Sequence, residues 1–263
     1  MDWLGELIQK KLPPHLRCSA YCCILTDEDD LAEYVHDDHV LPAASLIKIP
    51  IMIEVFRRRR ELHLNCAHAI PIYDAVEGGS FYDRPAGSAA TVRELIRHMI
   101  VESDNTCANM LMDMVGLDAV NETMASLGLT QTVLRRKMMD FDAARRGEEN
   151  VTTVRDMGRL FRLLYDGACV DAAYDMEMLD ILKNQEDNCI LPAQLPHPIA
   201  VAHKTGELDG IYHDCGIIYG RPSPMVLCLL TEGVTDEPQA IYDLSYLARA
   251  IYDHVGQIKT GAV

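Results

Sequence analysis

The segment that begins at Ser45, S-L-I-K-I-P-I-M-I-E-V-F, constrains the fold most, because it is apolar on almost every face of a helix. A helix with apolar side chains all round is buried in the interior of a protein. Four consecutive arginines, beginning at Arg57, then end the apolar stretch. The sequence therefore predicts a helix that runs through the centre of the molecule and emerges at Arg57.

Strand patterns occur near both ends of the chain, and helical patterns lie between them. The connections between neighbouring strands are short, which favours antiparallel pairing. Strands are expected at residues 17–26, 31–40, 198–204, 214–219 and 225–231. Helices are expected at residues 2–12, 45–56, 91–101, 105–114, 153–164, 176–182 and 241–255.

This order of elements predicts an α+β fold with a five-stranded, mostly antiparallel sheet flanked by helices. Both ends of the chain supply strands, so residues 1–48 and 185–263 are expected to form one sheet lobe. Residues 49–184 are expected to form an inserted helical lobe. An active site would lie between the two lobes.

The charge and the cysteines exclude several classes of function. A net charge of -16 opposes binding to nucleic acid or to an anionic membrane. Nine scattered cysteines without a C-x-x-C pair argue for reduced thiols and against a zinc site. Neither a signal sequence nor an apolar run of membrane-spanning length is recognised, which predicts a cytoplasmic protein. No metal or cofactor is expected, and no pattern indicates an oligomeric state.

The Ser45-x-x-Lys48 spacing places a hydroxyl and an amine one turn apart on the same face of a helix. A buried lysine can lose its proton near neutral pH and then accept the proton of a serine. The backbone N–H of Ser45 would lie at a helix N-terminus, where it can stabilise an oxyanion. Because S-x-x-K arises by chance about once in a chain of this length, the motif needs support from elsewhere.

Ser103-Asp104-Asn105 interrupts the helical region, directly after a helix that opens with the capping-box spacing of Thr91 and Glu94. Each of the three residues favours a helix N-cap, and one of them is enough for that role. Three together between two helices can direct Ser103 and Asn105 into a cleft while Asp104 holds the turn. Both interpretations of the triplet stay open at this point.

Lys204-Thr205-Gly206 ends an apolar strand, and Gly206 would let a substrate approach the strand edge closely. The ammonium and the hydroxyl suit a substrate carboxylate, and the backbone N–H of Glu207 would be a second oxyanion donor. A second K-T-G occurs at residues 259–261, but no strand precedes it. The first copy is therefore the candidate.

The three motifs occur in a fixed order on a buried helix, an interhelical loop and a late strand. In this respect the chain resembles the penicillin-recognising serine enzymes, especially class A β-lactamases and D,D-peptidases. The resemblance extends over nearly the whole chain, including the strands H-D-C-G-I-I-Y and M-V-L-C-L-L-T. It implies a β-lactamase- or transpeptidase-like fold, and a β-lactam or a peptide as the small-molecule substrate.

The resemblance also implies a role for each matching residue. Ser45 would be acylated, and Lys48 would activate it. Ser103 would relay a proton to the leaving nitrogen, and Asn105 would contact the substrate amide. The carboxylate of the substrate would be held by the two residues that precede Gly206, namely Lys204 and Thr205.

One element of the family pattern is not found. Class A β-lactamases carry a glutamate on a loop after S-D-N, with an asparagine four positions later, that activates the water for deacylation. The corresponding residues, 135–153, lack this pattern. Asp140 lies nearest the expected place, with three lesser candidates: Asp142, Glu148 and Glu149. Alternatively, Asp140 is a loop carboxylate that pairs with an arginine such as Arg136.

An aspartate is one methylene shorter than a glutamate, so deacylation would be slow or would use another base. The acidic Glu207 would disfavour strongly anionic substrates. The leading hypothesis is a serine hydrolase that forms an acyl-enzyme, with a β-lactamase as its most specific form. The alternatives are a D,D-peptidase or amidase acting on cytoplasmic peptides, and a penicillin sensor that stays acylated.

Overall fold

The strands come from every part of the chain, and the longest lie near its two ends. The computed structural model describes residues 2–26, 32–64, 70–85 and 87–260. In chain order, its strands are β1 (Arg17–Ile24), β2 (Glu33–His36), β3 (Leu41–Pro42), β4 (Ile70–Pro71), β5 (Ala89–Ala90), β6 (Val151–Thr152), β7 (Val201–Leu208), β8 (Ile211–Ile218) and β9 (Met225–Glu232).

The helices begin and end close to the positions that their sequence patterns predict. In chain order they are α1 (Trp3–Lys11), α2 (Lys48–Arg57), α3 (Val92–Val101), α4 (Asn105–Val115), α5 (Leu117–Ser126), α6 (Phe141–Arg145), α7 (Val154–Tyr165), α8 (Ala172–Leu182) and α9 (Glu237–Thr260). The sequence patterns did not predict α5 or α6. None of these helices is long and apolar enough to cross a lipid bilayer.

The main sheet has five strands in the order β2-β1-β9-β8-β7, and each neighbouring pair is antiparallel. The predicted α+β fold is confirmed. The strands of this sheet come from the two terminal parts of the chain, whereas α3 to α8 come from the middle. In this order β7 is an edge strand, so one edge of its backbone stays free to face a substrate.

The two faces of the sheet pack against different helices. Along β1, Ala20 and Cys22 belong to a core cluster with residues of α1 and α9. The alternate residues Tyr21 and Cys23 belong to a second cluster with residues of α2, α3, α4 and α7. This alternation follows from the period of two residues in a strand. The sheet therefore forms the middle layer of the molecule.

Helix α2 is buried on all sides, as its apolar sequence predicts. Residues from Lys48 to Phe56 are all buried, and Arg57 is exposed. The capping box of α3 is also confirmed, because the Thr91 side chain accepts from the N–H of Glu94 while the Glu94 carboxylate accepts from the N–H of Thr91. Eight cysteines are free thiols in the described part of the chain, and Cys189 is exposed rather than in the core. Cys66 lies outside the described residues.

Packing between α7 and the sheet depends on a glycine. A Cβ atom at Gly158 would overlap the ring of Tyr21, which is fully buried. We expect Gly158→Ala to lower the free energy of unfolding by about 1–3 kcal/mol, because an overpacked core cannot relax fully. Gly256→Ala in α9 is the control, because a Cβ there meets no atom within 4 Å.

Urea denaturation of both variants and of the wild type measures the difference. The control should be neutral or more stable by about 0.5–1 kcal/mol, because alanine is favoured over glycine within a helix. Equal stability of the two variants would contradict the role given to Gly158.

Candidate active site

Ser45 lies in a short 3-10 turn, Ala44–Ile47, immediately before α2. The sequence pattern placed Ser45 in the helix itself, whereas the helix begins at Lys48. Side chains three residues apart eclipse each other in a 3-10 turn. Lys48 Nζ accordingly lies 3.0 Å from Ser45 Oγ. The serine and lysine of the S-x-x-K motif are therefore in direct contact.

The amine of Lys48 meets two carbonyl oxygens as well as hydroxyl groups. It donates to the backbone oxygen of Ser103 at 2.6 Å and to Oδ1 of Asn105 at 2.7 Å. Ser103 Oγ lies 3.1 Å away. Carbonyl oxygens only accept hydrogen bonds, so they occupy both N–H groups of a neutral amine. The single lone pair of the nitrogen then remains for one hydroxyl proton, from Ser45 or from Ser103.

Burial sets the protonation state of Lys48. The side chain is fully buried, and this desolvation, together with the nearby charge of Lys204, holds its pKa well below the ordinary value of 10.5. The negative charge of Asp104 raises this pKa and so offsets part of the decrease. A neutral Lys48 is the form that can accept a proton from Ser45.

The S-D-N loop combines the two roles that its sequence allowed. Asp104 is the N-cap of α4, and its carboxylate accepts from the N–H groups of Cys107 and Phe81, each at 2.8 Å. Ser103 adopts the left-handed backbone region with φ of 59°. This strained conformation turns its carbonyl oxygen and its hydroxyl toward Lys48. Asp104 holds the turn, and its two neighbours contact the amine.

A neighbouring loop fixes the orientation of the Asn105 amide. Asn105 Nδ2 donates to the backbone oxygen of Glu77 at 2.8 Å, so the opposite end of the amide, Oδ1, faces Lys48. Gly78 has φ of 93°, and a Cβ on it would overlap Asn105 Nδ2. Gly79 packs against Asp104 in the same way. The sequence motifs did not identify this loop, although the two adjacent glycines after Glu77 could have indicated a close approach of its backbone to another segment.

The K-T-G motif lies on β7, beside the serine. A Cβ at Gly206 would lie 3.2 Å from Ala44 Cβ and 3.3 Å from Ser45 N, so only glycine lets the strand lie this close without a tight contact. This proximity brings the backbone of the following residue, Glu207, toward the N–H of Ser45. Lys204 is fully buried, and its Nζ donates to the backbone oxygen of Thr205 at 3.0 Å.

Lys204 differs from Lys48 in its electrostatic surroundings. Desolvation lowers the pKa of Lys204 to about 8, while the carboxylates of Asp214 and Asp187 raise it and so limit the shift. Lys204 is therefore mostly charged at neutral pH and can attract a carboxylate.

The sequence analysis missed two supporting residues on β8. Asp214 is fully buried, accepts from the N–H of Leu191 at 2.9 Å and contacts His203 Nδ1 at 2.9 Å. His213 donates from Nε2 to the backbone oxygen of Pro42 at 2.9 Å and accepts from the N–H of Thr231 at 3.1 Å. It therefore ties the sheet to the segment before Ser45. A histidine and an aspartate within the otherwise mostly apolar strand β8 could have indicated a role near the site.

A cleft of about 680 Å³ joins these elements. Both lysines are absent from its lining because they lie behind the wall, fully buried. The predicted site residues that line it are Ser45, Ser103, Asn105, Thr205, Gly206 and Glu207. The second K-T-G, at residues 259–261, does not line this cleft as far as the structure describes it. Thr260 is the last residue of α9, and Gly261 lies outside the described residues.

The structure does not bring Asp140 into this cleft. Its carboxylate caps α6 by accepting from the N–H of Ala143 at 2.9 Å, and the residue lines a separate cavity of about 290 Å³. The alternative pairing of Asp140 with Arg136 is not observed either. Arg136 instead pairs with Glu149, with Nη2 and Oε1 2.7 Å apart. The catalytic role predicted for Asp140 is not supported, because its side chain is committed to a helix cap.

A small cavity beside Ser45 shows what occupies the place expected for a deacylating base. Its volume is about 70 Å³, and its lining includes Met138, Met139 and Phe141. The carboxylates along it are Glu149, which is bound to Arg136, and Glu207 at the strand edge. Of these two carboxylates only Glu207 forms no ion pair with a described residue, and it lies on β7 rather than on the loop where the class A pattern places the water-activating glutamate.

These features define a protein with an activated serine in a cleft between an antiparallel sheet and a group of helices. Residues 12–255 match the family described as the beta-lactamase enzyme family. This match covers most of the chain, and the chain belongs to that family.

Individual relatives are similar over different lengths. A beta-lactamase from Streptomyces fradiae is 34% identical over 157 residues, which are 57% of this chain and 51% of that protein. The chain thus spans about half the length of the curated relatives it matches.

Solved structures are similar over nearly the full chain. The crystal structure of a beta-lactamase from Sphaerobacter thermophilus is 26% identical, with a TM-score of 0.86 over 100% of this chain and 99% of that one. PBP-A is 25% identical, with a TM-score of 0.84 over 96% of this chain and 95% of that one. A mutant of PBP-A was solved as an acyl-enzyme complex with penicillin G.

The orientation of Asn105 can be tested at the glycine that supports it. Gly78→Ala should slow acylation of Ser45 about 10- to 100-fold, because it displaces an amide that positions Lys48. Gly87→Ala is the matched control: Gly87 also has a positive φ, of 84°, but a Cβ there meets no atom within 4 Å. Stopped-flow acylation rates compare the two, and equal rates would contradict the role of Gly78.

The charge of Lys204 predicts an alkaline limit for binding. Because the free site has a Lys204 pKa of about 8, the ammonium loses its proton as the pH rises through that value. The apparent affinity for carboxylate substrates should fall about fivefold between pH 8 and pH 9, while the rate at saturation changes less. Lys204→Arg, which stays charged, should remove this limit. An unchanged pH profile in that variant would contradict the assignment.

Proposed function

We propose that this protein is a serine hydrolase whose Ser45 is acylated by β-lactams or by related amides that carry a carboxylate. The contact between Ser45 Oγ and Lys48 Nζ, at 3.0 Å, is the observation that carries the proposal. Membership of the beta-lactamase enzyme family supports it.

The proposed chemistry uses each group in the state that its surroundings favour. The lone pair of Lys48 takes the proton of Ser45 as Oγ attacks the amide carbon. Negative charge on the carbonyl oxygen is stabilised by the N–H groups of Ser45 and Glu207. As the C–N bond breaks, the proton passes from Lys48 through the Ser103 hydroxyl to the leaving nitrogen. An ester on Ser45 remains, and water must cleave it.

The substrate is held at two places. The Lys204 ammonium and the Thr205 hydroxyl attract its carboxylate, because a charge-assisted hydrogen bond in a buried setting is strong. Asn105 lines the cleft beside Ser45 and can contact the amide of the substrate. These contacts fix the carbonyl carbon near Ser45 Oγ before the reaction, which is the main benefit of an oriented site.

A second candidate function is a penicillin-binding protein or sensor that stays acylated. The cavity beside Ser45 favours it, because Met138 and Met139 line that cavity and the nearby Glu149 is bound by Arg136. A carboxylate oxygen that accepts hydrogen bonds from a guanidinium is less available to accept one from water. A mutant of PBP-A, whose fold is similar, was solved as an acyl-enzyme complex with penicillin G.

Intact-mass spectrometry after brief exposure to benzylpenicillin tests the acylation. We expect the mass of one penicillin on the wild-type protein, and no adduct on Ser45→Ala. Ser126→Ala is the control, because Ser126 is an exposed serine at the end of α5. An adduct that persists on Ser45→Ala would exclude Ser45 as the nucleophile.

The lifetime of the adduct separates the two candidate functions. Because Glu149, the loop carboxylate of this cavity, is bound by Arg136, we expect deacylation in minutes or longer, far slower than the turnover of about 1–1000 per second that is typical of enzymes. A chromogenic cephalosporin measures turnover directly. Rapid, sustained hydrolysis would exclude the sensor and would show that another group activates the water.

A further inference from the structure

The cleft is strongly acidic where a substrate would enter it. Among the described residues that line it there is no lysine or arginine, and its one histidine, His213, has its pKa lowered by burial to about 4 and is neutral. Five carboxylates line the cleft: Glu102, Glu186, Asp187, Glu207 and Glu237.

Four of these carboxylates lack a cationic partner. Glu102 contacts His98 Nδ1 at 2.6 Å. The other four are exposed and form no ion pair with a described lysine, arginine or histidine. They come from two separate parts of the chain: the segment after α8 supplies Glu186 and Asp187, and the region from β7 to α9 supplies Glu207 and Glu237. The tertiary structure thus concentrates negative charge around one ligand-sized space.

The Thr205 hydroxyl marks one end of the ligand independently of these charges. Thr205 lines the cleft with only 8% of its surface exposed, and its hydroxyl makes no hydrogen bond to the described residues. The hydroxyl therefore takes its partner from the cleft. The adjacent Lys204 is the cation of the site, so the missing partner has the chemistry of a carboxylate.

Resting on the proposed function, we infer that the substrate of this site is a zwitterion. Its carboxylate binds at Lys204 and Thr205, and a protonated amine elsewhere on the molecule lies against the unpaired carboxylates. A substrate with only a carboxylate would be attracted by Lys204 but repelled by the four carboxylates, one of which, Asp187, already acts on Lys204. A protonated amine on the substrate would be attracted by these carboxylates. A second carboxylate on the substrate would instead increase the repulsion.

Tyr212 indicates where the amine binds. The Tyr212 hydroxyl donates to Glu207 Oε1 at 3.4 Å, and burial with the hydrogen bond to Glu237 raises its pKa. Glu207, Tyr212 and Glu237 therefore lie together on one wall, which includes part of the strand that carries Thr205. A neutral tyrosine between two carboxylates leaves both negative charges available to an ammonium group.

Three penicillins that differ only in charge at one carbon of the side chain test this inference. They are benzylpenicillin, its α-amino derivative and its α-carboxy derivative. At about pH 6, where the amine is protonated, we expect the second-order acylation rate constant to fall in the order amino, neutral, carboxy. Each rate is divided by the rate of alkaline hydrolysis of the same compound. The extremes should differ at least about tenfold, and high salt should reduce the difference.

A double variant, Glu207→Gln with Glu237→Gln, tests the proposed wall. It should reduce the amino-to-carboxy ratio about threefold or more, because two charges are removed. Glu122→Gln is the control, since Glu122 is an exposed carboxylate on α5 that does not line the cleft. A ratio that is the same in the double variant and the control would overturn the assignment of this wall.

Equilibrium binding of the same three compounds to Ser45→Ala separates this inference from the proposed function. If none of them acylates the wild type but the amino compound still binds most tightly, the acylation mechanism is wrong and the charge preference stands. If all three acylate or bind without regard to side-chain charge, the zwitterionic substrate is excluded and the hydrolase remains.

Discussion

Burial of the Lys48 amine is the constraint on which the surrounding structure depends. A buried amine must have all its hydrogen bonds satisfied, and two of its partners come from a loop more than fifty residues later in the chain. That loop keeps its shape through the Asp104 cap, the left-handed backbone of Ser103 and the close packing of two glycines. Helix α2, which carries Lys48, is in turn enclosed by apolar side chains on every face.

The two buried lysines acquire different chemical roles from their neighbours. Burial of Lys48 and the nearby charge of Lys204 lower the pKa of its amine and favour the neutral form. Lys204 lies near Asp214, a buried carboxylate on the neighbouring strand, which preserves much of its charge. The antiparallel pairing of β7 with β8 creates that proximity. One fold thus gives two buried lysines the different charge states that the proposed base and the proposed carboxylate anchor require.

In the proposed mechanism, acylation and release depend on opposite sides of Ser45. The sheet side supplies the strand edge and the charged lysine, whereas Met138 and Met139 line the other side, and its carboxylate Glu149 is bound by Arg136. Family membership therefore accounts for the attack of the serine better than for the release of the product. The carboxylates along the cleft add a preference for substrate charge that the motifs do not encode.

The sequence alone determined the features that depend on neighbouring residues: the buried α2, the capping box of α3, the alternating strands and the order of three motifs. It could not decide which carboxylate lies beside Ser45. Counting along the loop favoured Asp140, whereas the fold commits that side chain to a helix cap and turns Glu149 toward Arg136. It also could not show that burial and Lys204 lower the pKa of Lys48, or that four unpaired carboxylates share one cleft. Those properties depend on distances between residues far apart in the chain, and only the tertiary structure fixes such distances.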